Sequence, residues 1–392
     1  MHSPADAVRP PEVNAKALLV LVSALVLFDT TFFTAITPLL PHYVRTLGLA
    51  KSGAGILVAA YPAGALIAAI PGGMLASRIG VRPSVVFGLS LISAATLVFG
   101  FGTSIVVLDT ARFVQGVGGA CMWAGGLAWL ATGTPSDRRG AALGVAFGSS
   151  VAGALLGPLI GAVASRVGTA PAFAAATVAG LCLMVASFRV RTSSGSESQR
   201  LSSALRALRD PGVSGGMWLT CVAGLSFGVI DVLTPLRLSA LGGSAIVIGG
   251  AFLASAGLEA AISPAVGRLS DRRGRLAPAR LSLLAAIVVS FLLPVLHPLW
   301  LLAALVVVGL GTYGTLFVPG AAMMSDGAER QNLHQGLAFG LTNFSWAAGQ
   351  GVAAAGCGAI AEATSDLVPF LILTAVLSGT FLVMRGQTRR GL

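Results

Sequence analysis

The sequence predicts an all-α membrane protein of twelve transmembrane helices in two pseudo-symmetric six-helix bundles. Three observations predict it. Of 392 residues, 55% are hydrophobic and only 10% charged, with a mean hydropathy of +0.87, whereas a soluble domain carries roughly 25% charged residues. Long apolar stretches recur twelve times along the chain. The second six repeat short motifs of the first at a nearly constant offset. A membrane helix needs about 20 apolar residues, so twelve take up ~60% of the chain and leave short loops. The 51 glycines and 19 prolines stay below the share that marks low complexity. Gly with abundant Ala suits closely approaching membrane helices.

The spans read 17–40, 52–74, 83–101, 105–131, 141–165 and 170–188, then 214–238, 246–268, 279–296, 299–324, 335–361 and 366–384. Residues 1–16 form a polar tail leading into a span too long for a signal-peptide core, so no cleavable signal is expected. Residues 17–188 make the first bundle and 214–384 the second. The linker 189–213 joins them, and 385–392 is the second tail. Within the linker, LSSALRALR could lie as a short interfacial helix.

Charge sets the orientation. With the N-terminus inside, twenty of the 25 basic residues fall in inside loops, tails and inner helix ends. Arg45, Lys51, Arg166 and Arg237 fall outside, and Arg112 lies within a span. That asymmetry predicts both termini on the cytoplasmic side of the cell (inner) membrane. The net charge of +11 therefore reports membrane orientation; no basic, aromatic-interleaved domain for nucleic acid is present. Cys121, Cys182, Cys221 and Cys357 sit inside apolar runs without metal-ligand spacing, and neither a metal nor another cofactor is expected.

The halves match residue by residue. Gly73-Met-Leu-Ala-Ser-Arg-Ile-Gly80 aligns with Gly267-Arg-Leu-Ser-Asp-Arg-Arg-Gly274, and Pro41 and Gly48 with Pro235 and Gly242, all at 194 residues. Gly144-Val-Ala-Phe-Gly148 aligns with Gly336-Leu-Ala-Phe-Gly340 at 192. Two such halves enclose a site near the bilayer midplane that rocking exposes to each side in turn.

Four motifs carry a family resemblance. The loop Gly72 to Pro83 contains Gly73, Arg78, Gly80 and Arg82, and its second-half copy contains Gly267, Asp271, Arg272 and Gly274. The fourth span holds Arg112, Gln115, Gly116, Gly118 and Gly119. The fifth reads Gly148-x4-Gly153-x3-Gly157-Pro158-x2-Gly161, small residues every four forming a smooth face. The first span sets Asp29 before Thr34, Pro38 and Pro41. Together these resemble the major facilitator superfamily, and within it the twelve-helix drug–proton antiporters and their relatives, the vesicular amine transporters. The resemblance covers nearly the whole chain and implies the major facilitator fold and a monomeric transporter. It implies a conformational latch in the loop, where Ser77 replaces the motif's acidic residue while Asp271 keeps it. It also implies an arginine, Arg112, that biases proton coupling, and an antiporter-type fifth helix.

Ionisable residues inside spans are functional candidates by default. Asp29 lies about 18 Å into the first span at 1.5 Å per residue, near the middle of a ~30 Å core. Glu259 is similarly central in the eighth span, and Asp231 lies in the outer half of the seventh. A carboxyl that holds either a proton or a cation, never both, supplies exchange by itself. Each also has a structural reading. Asp29 and Glu259 could bond neighbouring helices, Asp231 could pair with Arg237, and Asp109, one turn from Arg112, could form a static ion pair with it. Gln115, Tyr61, Trp123, Tyr313, Asn343 and Trp346 are candidate cavity-lining residues, since aromatic faces attract organic cations.

The leading function is thus proton-coupled export of small cationic or amphipathic organic molecules. The alternative is transport of a neutral metabolite such as a sugar, and a distant one is a receptor or scaffold. No enzyme is expected: neither H-E-x-x-H nor a nucleotide-binding G-x4-G-K-[ST] occurs.

Overall fold

The computed structural model describes residues 14–135, 138–191, 206–331, 333 and 335–389. The helices are α1 (Ala15–Thr34), α2 (Leu40–Leu47), α3 (Lys51–Ile79), α4 (Val81–Phe101), α5 (Ile105–Gly133), α6 (Arg139–Val167) and α7 (Thr169–Arg189). The second set is α8 (Pro211–Ala240), α9 (Ala245–Arg273), α10 (Leu276–Leu292), α11 (Leu299–Thr315), α12 (Phe317–Arg330), α13 (Gln335–Ala363) and α14 (Leu367–Arg389). Taking α1 with α2, and α11 with α12, as single crossings gives twelve. Ten of the crossings are long and apolar enough to span a membrane, and α10 is a shorter apolar helix. The possible interfacial helix of the linker falls largely on 192–205, outside the described residues.

Two predicted spans turn out to be broken, both for the same reason. Proline has no N–H for the carbonyl four residues back. Pro38 leaves Thr34 without a helical donor, so α1 stops and a 3-10 turn at Thr37–Leu39 leads into α2. Pro319 does the same to Thr315, and the Leu316 N–H turns back to the Tyr313 carbonyl at 3.1 Å. By contrast α6 runs uninterrupted through Pro158.

Packing repeats the sequence symmetry. In the first half α1 lies on α6, α3 on α5 and α4 on α7. The second half repeats these as α8 on α13, α9 on α11 and α10 on α14. Two further pairs, α3 with α13 and α6 with α9, hold the halves together. Glycines set the approach, because lipid supplies no hydrophobic drive between helices and close backbone contact must do so. A Cβ on Gly153, Gly157 or Gly161 of α6 would run into the α1 backbone at Leu27, Thr31 and Ala35. A Cβ on Gly116 of α5 would meet the Tyr61 carbonyl of α3.

The seam between halves closes at the end of the bundle remote from the termini. There Lys51 pairs with Asp366 at 2.5 Å, and the Ser52 N–H donates to Glu362 Oε2 at 3.1 Å. Arg45 donates to Ser239 Oγ at 3.2 Å. Gly55 and Gly358 lie so close that a Cβ on either would strike the opposite backbone. Toward the terminus-bearing end, a Cβ on Gly73, Gly144, Gly148, Gly267 or Gly340 would meet no described heavy atom within 4 Å.

Candidate transport site

Asp29 occupies the centre of the first half. It is 3% exposed. Its Oδ2 accepts from the Tyr61 hydroxyl of α3 at 2.7 Å and from Trp123 Nε1 of α5 at 2.9 Å. Its Oδ1 is buried and accepts from no described residue. Gly119 of α5 makes room for the Tyr61–Asp29 pair, since a Cβ there would stand 2.5 Å from the Tyr61 hydroxyl and 3.1 Å from Oδ1. The glycines of α6 seat α1 at a fixed height, and Gly116 seats α3 against α5, so three helices converge on one carboxyl.

Arg112 lies beside this group, 1% exposed. Its guanidinium donates to the carbonyls of Phe32 (3.2 Å) and Phe33 (3.1 Å) and to Gln115 Oε1 (3.1 Å). Gln115 in turn donates to Thr96 Oγ1 at 2.9 Å. The expected alternative of an Asp109–Arg112 ion pair is not formed. The guanidinium is taken by α1 carbonyls freed near that helix end, and buried Oδ1 of Asp109 has no described partner. The Arg112 Cζ instead sits 5.1 Å from the Tyr61 ring centroid and 5.6 Å from that of Phe33. Phe33 also packs on Tyr61 (4.7 Å) and meets Trp346 of α13 edge-on (5.4 Å), across the seam. Trp123 packs on Phe147 of α6 at 5.7 Å.

In the second half, Asp231 accepts from Gln350 Nε2 at 3.1 Å. The expected pairing with Arg237 does not occur, because Arg237 donates to the carbonyls of Leu293 and Leu296, each at 3.1 Å. Asp231 and Arg112 line one small gap of about 10 Å³ between the halves, with Phe33 and Thr34. Glu259 stands elsewhere. Its carboxyl is half-buried against Gly314, where a Cβ would collide with it, just before the break between α11 and α12. Tyr313 is fully buried with its hydroxyl 2.6 Å from Ser290 Oγ, so it packs α10 on α11 instead of lining a cavity. Gln115, 2% exposed, likewise serves Arg112. Asn343 lies half-buried on α13, three residues before Trp346.

The loop motifs lie at the terminus-bearing end. Ser77, in the acidic position, donates to the Met74 carbonyl of its own turn at 2.9 Å, while Arg78 is exposed. Arg82 bonds the Val190 carbonyl and lies 5.8 Å from the Trp129 ring, tying α4 and α5 to the end of α7. Gly80 and Gly274 turn with φ of 93° and 80°, left-handed values that favour glycine. Arg272 is exposed, and the side chain of Asp271 lies outside the described residues. The second-half loop is held by Arg275, which bonds Asp326 Oδ2 at 2.9 Å. Asp210 caps α8, accepting from the N–H groups of Gly212 (2.8 Å) and Val213 (3.2 Å). Arg330 at 2.8 Å, with those N–H groups, holds the Asp210 carboxyl down at about 2.

Sequence reasoning missed Phe33, Phe147 and Gln350, and read Gly119 only as part of the fourth-span motif. Phe33 was findable, since it follows Asp29 by one helical turn.

Twelve crossings in two matched halves around buried, seam-facing charges define a secondary membrane transporter. The sequence model of the Major Facilitator Superfamily matches residues 20–383, and the chain belongs to that family. It is similar to the vesicular acetylcholine transporter of Drosophila melanogaster, 28% identical over 169 residues, covering 36% of this chain and 29% of that protein. It is also similar to quinolone resistance protein NorA of Staphylococcus aureus, 28% identical over 109 residues, covering 28% of each. These matches span about a third or less of either relative. Among solved structures, a bacterial homolog of the human lysosomal transporter Spinster, inward-facing and unoccupied, superposes with a TM-score of 0.78 at 13% identity, covering 95% of this chain and 97% of that one. A D-xylose–proton symporter gives 0.75 at 14%, covering 94% and 97%. Both likenesses concern the fold.

Proposed function

We propose that this transporter is a proton-coupled antiporter that exports small organic cations by alternating access. It does so in the cell membrane with both termini cytoplasmic. The observation that carries the reading is the Asp29 carboxyl, midway through α1, bonded on one oxygen and empty on the other, with aromatic side chains around it. A bare carboxylate in hydrocarbon surroundings is costly, so Asp29 must be neutralised either by a proton or by a cation. When the bundle opens to the cytoplasm, an entering cation takes the carboxylate and its proton leaves. When it opens outside, a proton displaces the cation. At one-for-one exchange a pH unit, about 1.4 kcal/mol, supports a tenfold cation gradient. Arg112 places a positive charge beside the Asp29 carboxyl and is the residue that would bias the coupling. The partial matches to NorA and to the vesicular transporter support a substrate of this class.

The halves 17–188 and 214–384 act as the rocking bodies in this reading, with 189–213 as their tether. Purified protein in liposomes, given a pH gradient and a fluorescent organic cation, tests it. Wild type moves the cation against the proton flow, and Asp29→Asn, reconstituted at equal amount, does not. Undiminished gradient-driven movement by Asp29→Asn would rule the role out.

A further inference from the structure

We infer that the Asp29 site selects protonated amines, cations with an N–H to donate, over quaternary ammonium ions of the same shape. The inference rests on the export reading above and narrows its substrate class. Oδ2 is already saturated by Tyr61 and Trp123, whereas Oδ1 is buried with no donor among the described residues. What the site lacks is one hydrogen-bond donor. A buried acceptor left unpaired pays its desolvation in full, so a cation that brings an N–H satisfies the site and one that does not leaves the penalty in place.

The aromatic geometry points the same way. A quaternary ammonium would rely on ring faces, but the faces of Tyr61 and Phe33 are already engaged by the Arg112 guanidinium. Tyr61 and Trp123 present their polar edges to Asp29. The remaining approach is past Trp123 and Phe147, both half-buried. Phe147 lies between Gly144 and Gly148 of α6, where a Cβ would meet no described heavy atom within 4 Å. Gly119 contributes by letting the Tyr61 hydroxyl and the Asp29 carboxyl lie against the α5 backbone. A methyl shell around nitrogen would hold the charge off that oxygen, and an N–H brings it into contact.

The test uses one matched pair: the same aromatic body carrying an alkyl dimethylamine, protonated at neutral pH, or a trimethylammonium group. Binding to the purified full-length protein is measured by calorimetry, and proton exchange in liposomes by an internal pH dye against protein-free vesicles. The amine is expected to bind about tenfold tighter or more. Equal or tighter binding of the quaternary compound, with both exchanged for protons, overturns the selectivity while the export reading stands. Failure of both compounds to bind or exchange overturns the export reading and the inference together.

Discussion

At the scale of single residues, the proposed function concentrates on two buried charges, Asp29 and Arg112. Asp29 and Arg112 were legible in the sequence because an ionised group inside an apolar run has no cheap explanation. Tyr61 and Trp123 were legible only as aromatic candidates, because which ring edge faces a carboxyl depends on the rotation of α3 and α5. Gln350, the partner of Asp231, carried no such signal: a glutamine in a helix is commonplace until a carboxyl stands 3.1 Å away. The Arg112 geometry makes a specific forecast. Lysine has one point charge and no planar fork, so it cannot serve two carbonyls, Gln115 and two ring faces together. Arg112→Lys is expected to fold, shown by its elution as a single species, and to lose tenfold or more of its exchange rate.

At the scale of elements, small residues and caps decide how helices meet and end. The Gly153, Gly157 and Gly161 face was readable from spacing, and the structure seats it on the α1 backbone. The breaks after Thr34 and Thr315 were not read. Each rests on one proline whose effect depends on whether the freed carbonyl is tolerated locally. The Asp210 cap of α8 predicts a measurable stability term. Asp210→Ala removes a helix cap and is expected to cost about 1–2 kcal/mol at neutral pH, read by thermal unfolding in detergent. Arg330→Ala should cost less, under about 1 kcal/mol, because that guanidinium is half exposed. Since the folded Asp210 carboxyl sits at about 2 against an ordinary 3.8, its contribution is full above the ordinary value. It is lost as pH falls through about 2, and the gap between wild type and Asp210→Ala closes there.

At the scale of the whole molecule, the backbone is two-fold but the chemistry is not. At the 194-residue offset the positions of Asp29 and Tyr61 are filled by Ala223 and Ser255. The carboxyl of the second half that faces the seam, Asp231, uses a different partner. In the proposed mechanism the first half carries the cation site, and Trp346 of the second meets Phe33 across the seam. Closure at the far end rests on Lys51–Asp366 and on Gly55 against Gly358. In a Cys182→Ser background, Lys51→Cys with Asp366→Cys joined by a short bifunctional reagent is expected to halt exchange and to regain it on cleavage of the link. Continued exchange with the link intact would show that this end need not open. Gly358→Val should push the seam apart, read as faster thiol labelling of a cysteine at Asp366.

The central claim is that proton and cation compete for one carboxyl, and proton release on binding tests it most directly. Organic amine added to wild-type protein in weakly buffered detergent solution should release protons in step with saturation, and Asp29→Asn should release none. Saturable cation binding by wild type with no proton released would contradict the account.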